Sequence, residues 1–180
     1  MKTPMNKQET YNILIDTPPY KFGGVYFKTG YQVVLNIFRL LDNKTMDDSE
    51  RAKEILFLLF DEMPKYDQEE MWKFLVWYIT LGEDKKEDSE KRIFDWGLDS
   101  GRVYAAFLQV YSIDLLKEKM HWWVFKTLFD GLPSETKMQD VINIRTQEID
   151  IKSSPKERMR LVKLKSLFNI ENDDKDQFPI

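Results

Sequence analysis

The chain has no cysteine and a single histidine among its 180 residues, and these two shortages exclude more than any motif does. Without thiols there is no disulfide framework, no thiolate nucleophile and no Cys-ligated metal centre. One histidine rules out a multi-histidine metal site within one chain. Glycine and proline number only 7 each, too few for a loop-rich or low-complexity protein. No run approaches the roughly 20 apolar residues that a membrane span requires. The opening stretch Met1 to Thr10 is polar and lacks the apolar centre of a signal peptide. The expected location is therefore the cytoplasm of the cell that makes the protein.

What is present suits a packed helical core. Hydrophobic residues make up 42% and aromatic residues 14% of the chain, and a domain of this size buries about 70% of the surface its unfolded chain exposes. The net charge of -4 does not favour polyanionic partners, but it is uneven. Ile151 to Lys165 is strongly basic, whereas Glu171 to Ile180 is acidic. Such a basic helix and acidic tail are able to close on each other or to dock a complementary partner.

Residues 11–28 read as the one β region. Tyr11 to Ile15 is a short apolar run, and Tyr20 to Phe27 reads as a hairpin, because Gly23-Gly24 supplies the positive φ of a tight turn. From Tyr31 the period changes to helical, with Val33, Val34, Ile37, Phe38 and Leu41 on one stripe to about Asp42. A second helix starts at Ser49 as its cap, buries Ala52, Ile55, Leu56, Leu59 and Phe60, and stops at Pro64. Asp67 begins a third, carrying Met71, Phe74, Leu75 and Tyr78 with Trp72 and Trp77 on flanking faces, and Gly82 closes it. Glu83 to Glu90 is a charged linker. Further helices are expected over Ser100–Tyr111, over Lys117–Asp130 with Asp114 at its approach, over Met138–Arg145, and from Pro155 onward. The fold class is mainly α: a single helical domain over residues 1–170, of about seven helices with an N-terminal hairpin, then an acidic tail over 171–180.

Met120-His121-Trp122-Trp123-Val124-Phe125 is the most unusual segment, since it sets the only histidine beside two adjacent indoles. Histidine titrates near neutral pH, but acid–base work needs a positioned carboxylate or nucleophile, and no such motif surrounds His121. It reads as a histidine hydrogen-bonded within its helix, not as a catalyst. Tryptophan serves cores and binding hot spots alike. The contact candidates are thus whichever of Trp72, Trp77, Trp122 and Trp123 face outward. The basic run Lys156 to Lys165, with Arg158, Arg160 and Lys163, is a secondary candidate and the one plausible nucleic-acid surface. Its charges are not confined to one face. Phosphate-binding glycine loops and metal-site spacings are missing from the sequence, so no cofactor, metal or catalytic residue is assigned. Asp47-Asp48 and Glu69-Glu70 read as helix-start charges.

Several segments together resemble a bacteriophage family named after "gene product fifteen" of a siphophage of Gram-positive hosts. They are Ile15-Asp-Thr-Pro-Pro19, the Gly23-Gly24 hairpin, Phe38-Arg39, Phe94-Asp95, Tyr104-Ala-Ala-Phe-Leu-Gln109, Tyr111-Ser-Ile-Asp-Leu115, His121-Trp-Trp-Val-Phe125, Leu132-Pro133, Ile142-Asn-Ile-Arg145 and the basic helix near Lys163 and Lys165. The resemblance implies a protein of the phage tail module and a tail-assembly chaperone for the tape-measure or tail-tube proteins, acting in the host cytoplasm. The alternatives are a structural tail component of the virion, such as a completion or connector protein, and a nucleic-acid-binding protein. Self-association is a further option for its partners. Catalytic residues are not implied.

Overall fold

A computed structural model describes residues 12–82 and 93–170. Among these residues the chain is mainly helical, with seven helices and one small antiparallel hairpin. It divides into two compact units, Met1–Asp88 with Lys119–Asp130, and Ser89–Glu118 with Gly131–Ile180. Tyr11, the linker Glu83 to Glu90 and the acidic tail 171–180 lie outside the described residues.

The first unit holds strands β1 (Lys21–Phe22) and β2 (Val25–Tyr26) and helices α1 (Tyr31–Leu41), α2 (Asp48–Leu59) and α3 (Gln68–Ile79). The hairpin pairs Lys21 with Tyr26 and Phe22 with Val25. Gly23 and Gly24 take φ of +57° and +84° as the turn demands. At Gly23 a Cβ would also come within 2.0 Å of the Tyr66 ring, so glycine is required there twice over. Phe22 and Phe27 face inward onto Phe60, Phe74 and Tyr78, and the Phe22–Phe74 ring centroids stand 4.2 Å apart.

Of the run expected as a strand, Asn12 to Ile15 is a turn. Asn12 turns the chain by accepting backbone N–H groups from Leu14, Ile15 and Asp16, and Leu14 and Ile15 are almost fully exposed. An Asx-type side-chain bond outcompetes the short apolar run. The cap of α2 is Asp47, which accepts from the Ser49 N–H, so Ser49 lies inside the first turn. That helix also ends before Pro64, at Leu59. Phe60 is extended because it bridges to Phe27 of the hairpin. Asp67 caps α3 as expected, and Gly82 (φ +76°) closes it with its N–H on the Trp77 carbonyl.

The same unit includes α5 (Trp122–Asp130), five residues shorter at its start than the apolar period suggests. Met120 and His121 are extended, because the Tyr31 N–H donates to the Met120 carbonyl and the Trp122 N–H to that of Thr29. Asp114 instead holds a separate turn by accepting from Leu116 and pairing with Lys117.

The second unit packs α6 (Lys137–Thr146) against α4 (Ser100–Tyr111) and α7 (Pro155–Leu167). Val103, Ala106, Phe107, Met138 and Val141 are its buried apolar residues on the first two of these helices. Ser154 and Glu157 form a reciprocal capping box that starts α7, with Pro155 in the first turn. A buried Asp99 carboxylate joins Arg145 of α6 to the start of α4, and Arg145 also donates to the Ile93 and Phe168 carbonyls.

Candidate functional site

Four aromatic candidates fall into two classes. Trp122 and Trp123 are both 0% exposed, so neither offers a contact surface, and their place among the partner-binding residues is corrected. Their indole N–H groups donate to the last carbonyls of α3: Trp122 to Ile79 at 3.1 Å and Trp123 to Tyr78 at 2.8 Å. A helix C-terminus leaves carbonyls without intrahelical donors, and two consecutive indoles supply them here. Trp77 is half-buried against Trp123 and Phe74. Trp72, at 37% exposure, keeps a real solvent-facing edge.

His121 is a structural residue of the same arrangement. Its Nδ1 accepts the Trp123 N–H at 3.0 Å, which caps the first turn of α5, and that leaves Nε2–H to donate to the Pro19 carbonyl at 3.0 Å. Burial holds its pKa below the ordinary 6.5, against the smaller opposite pull of the Pro19 carbonyl. The neutral ring is thus the form this pocket selects. The Tyr78 hydroxyl, buried beside it, donates a hydrogen bond to the Thr29 carbonyl, and desolvation raises its pKa.

Trp72 borders a groove of about 560 Å³ within the first unit, lined by Leu41, Asp48, Arg51, Ala52, Ile55, Gln68, Glu69 and Trp72. Its floor is apolar, from Leu41, Ala52 and the indole, with Ile55 buried beneath them. Its rim is polar. Asp48 and Glu69 stand at the starts of α2 and α3, as expected of helix-start carboxylates, and their side chains are 93% and 76% exposed. Arg51 fixes the wall: it pairs with Asp48 and donates to the Asn43 and Met46 carbonyls, which anchors the α1–α2 loop.

Of these groove residues only Trp72 stands out from the sequence as a contact candidate. Leu41, Ala52 and Ile55 lie on apolar stripes, and period by itself does not separate a buried position from a groove floor.

On α7, Leu161, Leu164 and Phe168 are half-buried, while Met159, Val162 and Leu167 are 75%, 50% and 67% exposed. At 100° per residue those three share the opposite side with Lys156, Arg160 and Lys163. These three cations are exposed and make no ion pair among the described residues. Arg158 is different: it turns inward onto the Ile151 and Ser153 carbonyls and braces the α6–α7 loop. Lys165 likewise donates to the Arg145 carbonyl. Folding therefore sorts the cations that the sequence spreads around the helix.

The profile of a family described as Bacteriophage Gp15 protein matches residues 20–170, which covers both units. The chain belongs to that family. Membership makes it a bacteriophage protein and suggests a structural or morphogenetic role in building the phage. The matched span takes in the hairpin, the Trp72 groove, the Trp122–Trp123 clamp and α7. Comparison with curated proteins and with solved structures gives no match. No helix among the described residues of this Gp15-family chain is long and apolar enough to cross a membrane.

Proposed function

We propose that this Gp15-family chain is a non-enzymatic assembly factor that holds an apolar helical segment of the tape-measure protein, or of a tail-tube protein, during tail morphogenesis in the host cytoplasm. The observation that carries this reading is the groove beside Trp72, with its apolar floor and carboxylate rim. Its volume lies within the ~300–1,000 Å³ typical of sites that accept small apolar groups. That is room for a few side chains, not for a whole helix. A client helix would lie across α2 and α3 and insert one ridge of residues spaced by three and four. Trp72 supplies a large, stiff apolar wall of the kind that concentrates binding energy.

The chemistry of the client fits the same picture. A long helical protein awaiting its tube exposes apolar stripes that promote aggregation, and temporary cover prevents it. An open groove with an exposed polar rim gives modest affinity, which release by the growing tube requires. His121 supports a role without bond chemistry, because both ring nitrogens are already committed to backbone groups.

Co-expression with the tape-measure protein of the same phage tests the proposal. The expected result is a larger soluble fraction of the client and co-purification of the two chains, both lost on Trp72→Ala. Unchanged client solubility with no co-purification would remove the chaperone reading. Mass spectrometry of purified particles separates it from a structural role: an assembly factor is missing from mature virions, and a tail subunit is present in stoichiometric amounts.

A further inference from the structure

The outer side of α7 and the groove on the first unit are complementary in shape and in charge. One is an exposed face of Met159, Val162 and Leu167 interspersed with Lys156, Arg160 and Lys163, cations that make no ion pair among the described residues. The other is a concave apolar floor of Leu41, Ala52 and Trp72 over buried Ile55, rimmed by the exposed carboxylates of Asp48 and Glu69, whose surface pairs with Arg51 and Lys73 of their own helices are of the weak, solvent-exposed kind. We propose that α7 of a second copy of this chain docks in the groove, so that the protein associates with itself head to tail. The idea rests on the groove being a docking site, as the proposed function does, and adds a second occupant that competes with the client.

A second copy is favoured over other occupants by both features of the stripe. Nucleic acid or an acidic surface would satisfy the three cations but leave Met159 and Leu167 in water. The groove needs apolar side chains and a positive border together, and α7 presents both within three turns. The contact is heterologous, joining different patches on the two copies. Each bound pair therefore keeps one free groove and one free α7, and the assembly grows until it closes into a ring or continues as a filament. Clients then bind only to chains whose groove is released, which links client capture to the concentration of free chain.

Sedimentation velocity of the full chain alone, over a range of concentration and salt, tests this directly. Wild type is expected to associate as concentration rises, and less so at high salt because the rim pairs are exposed. Arg160→Glu with Lys163→Glu sets negative α7 against negative groove, and Asp48→Lys with Glu69→Lys sets positive against positive. Each double variant alone is expected to lose at least about tenfold in association. Mixing the two variants is expected to restore it, since each contact between unlike variants is then between opposite charges. Circular dichroism checks the fold, and where a reversal disturbs it, Arg160→Gln with Lys163→Gln and Asp48→Asn with Glu69→Gln give the same weakening without repulsion.

A chain that stays monomeric up to its solubility limit overturns the proposal, and so does a mixture no more associated than either variant alone. Client co-purification is read separately. A monomeric chain that still captures the tape-measure protein loses only this inference, whereas self-association without client capture removes only the proposed function.

Discussion

The indole N–H of Trp123 donates to the backbone carbonyl of Tyr78 across 45 positions of sequence, at 2.8 Å and out of reach of water. Trp122 does the same for Ile79, so the adjacent indoles of α5 complete the C-terminus of α3. The pair that looks most like a binding surface in the sequence is a buried clamp. Trp123→Phe, which keeps most of the ring and drops the donor, is expected to cost about 1–2 kcal/mol of stability. Trp123→Ala is expected to cost about 3–5 kcal/mol, because it also opens a cavity. Chemical denaturation of the two variants checks both values.

In the second unit Arg145 sets both terminal nitrogens on the Asp99 carboxylate, at 2.5 and 3.1 Å. Arg102 shares that carboxylate at 2.8 Å. Removing one member leaves a buried charge without its partner, so Asp99→Ala is expected to destabilise the chain by about 3–5 kcal/mol. Arg145→Lys keeps the charge but loses the forked geometry, and is expected to fall between wild type and Arg145→Ala in melting temperature.

His121 makes the stability pH-dependent with a definite sign. Its folded pKa lies below the ordinary 6.5, so the unfolded chain takes up the proton first as pH falls. The contribution is complete above about pH 6.5 and declines as pH drops from there toward the folded value. His121→Asn retains an acceptor for the Trp123 N–H but does not titrate. Melting temperatures measured from about pH 7.5 down to 5.5 should fall for wild type by more than for the variant. Equal slopes would contradict the assigned ring state.

Trp72 separates binding from folding. Its partial exposure and its place at the edge of the groove predict that Trp72→Ala changes stability by no more than about 1 kcal/mol, while abolishing client capture. Thermal melts and pull-downs on the same preparation test the two halves together.

Most of the element map is legible in the sequence, because caps and periods are local. Asp67, Gly82, Pro155 and the Gly23-Gly24 turn fall where their chemistry demands. The departures come where distant backbone intervenes. Phe60 leaves α2 to bridge Phe27, and Gly30 bridges His121, which delays the start of α5. Neither partner is visible from local period. The site is legible only in part: Trp72 and the outward cations Arg160 and Lys163 are readable as candidates, whereas Trp122, Trp123 and Arg158 turn inward to backbone carbonyls. An amphipathic sequence reveals that a residue is apolar. It does not reveal whether its neighbours close over it, as they do over Ile55 and do not over Trp72.

If the groove beside Trp72 receives another polypeptide, site-specific photocrosslinking in infected cells will capture it there. A photoreactive residue placed at position 72 should cross-link the tape-measure or tail-tube protein during tail assembly, while the same residue at exposed Leu116 should not. Position 72 yielding no such client, or no more than Leu116 does, would show that the groove is not where another polypeptide binds.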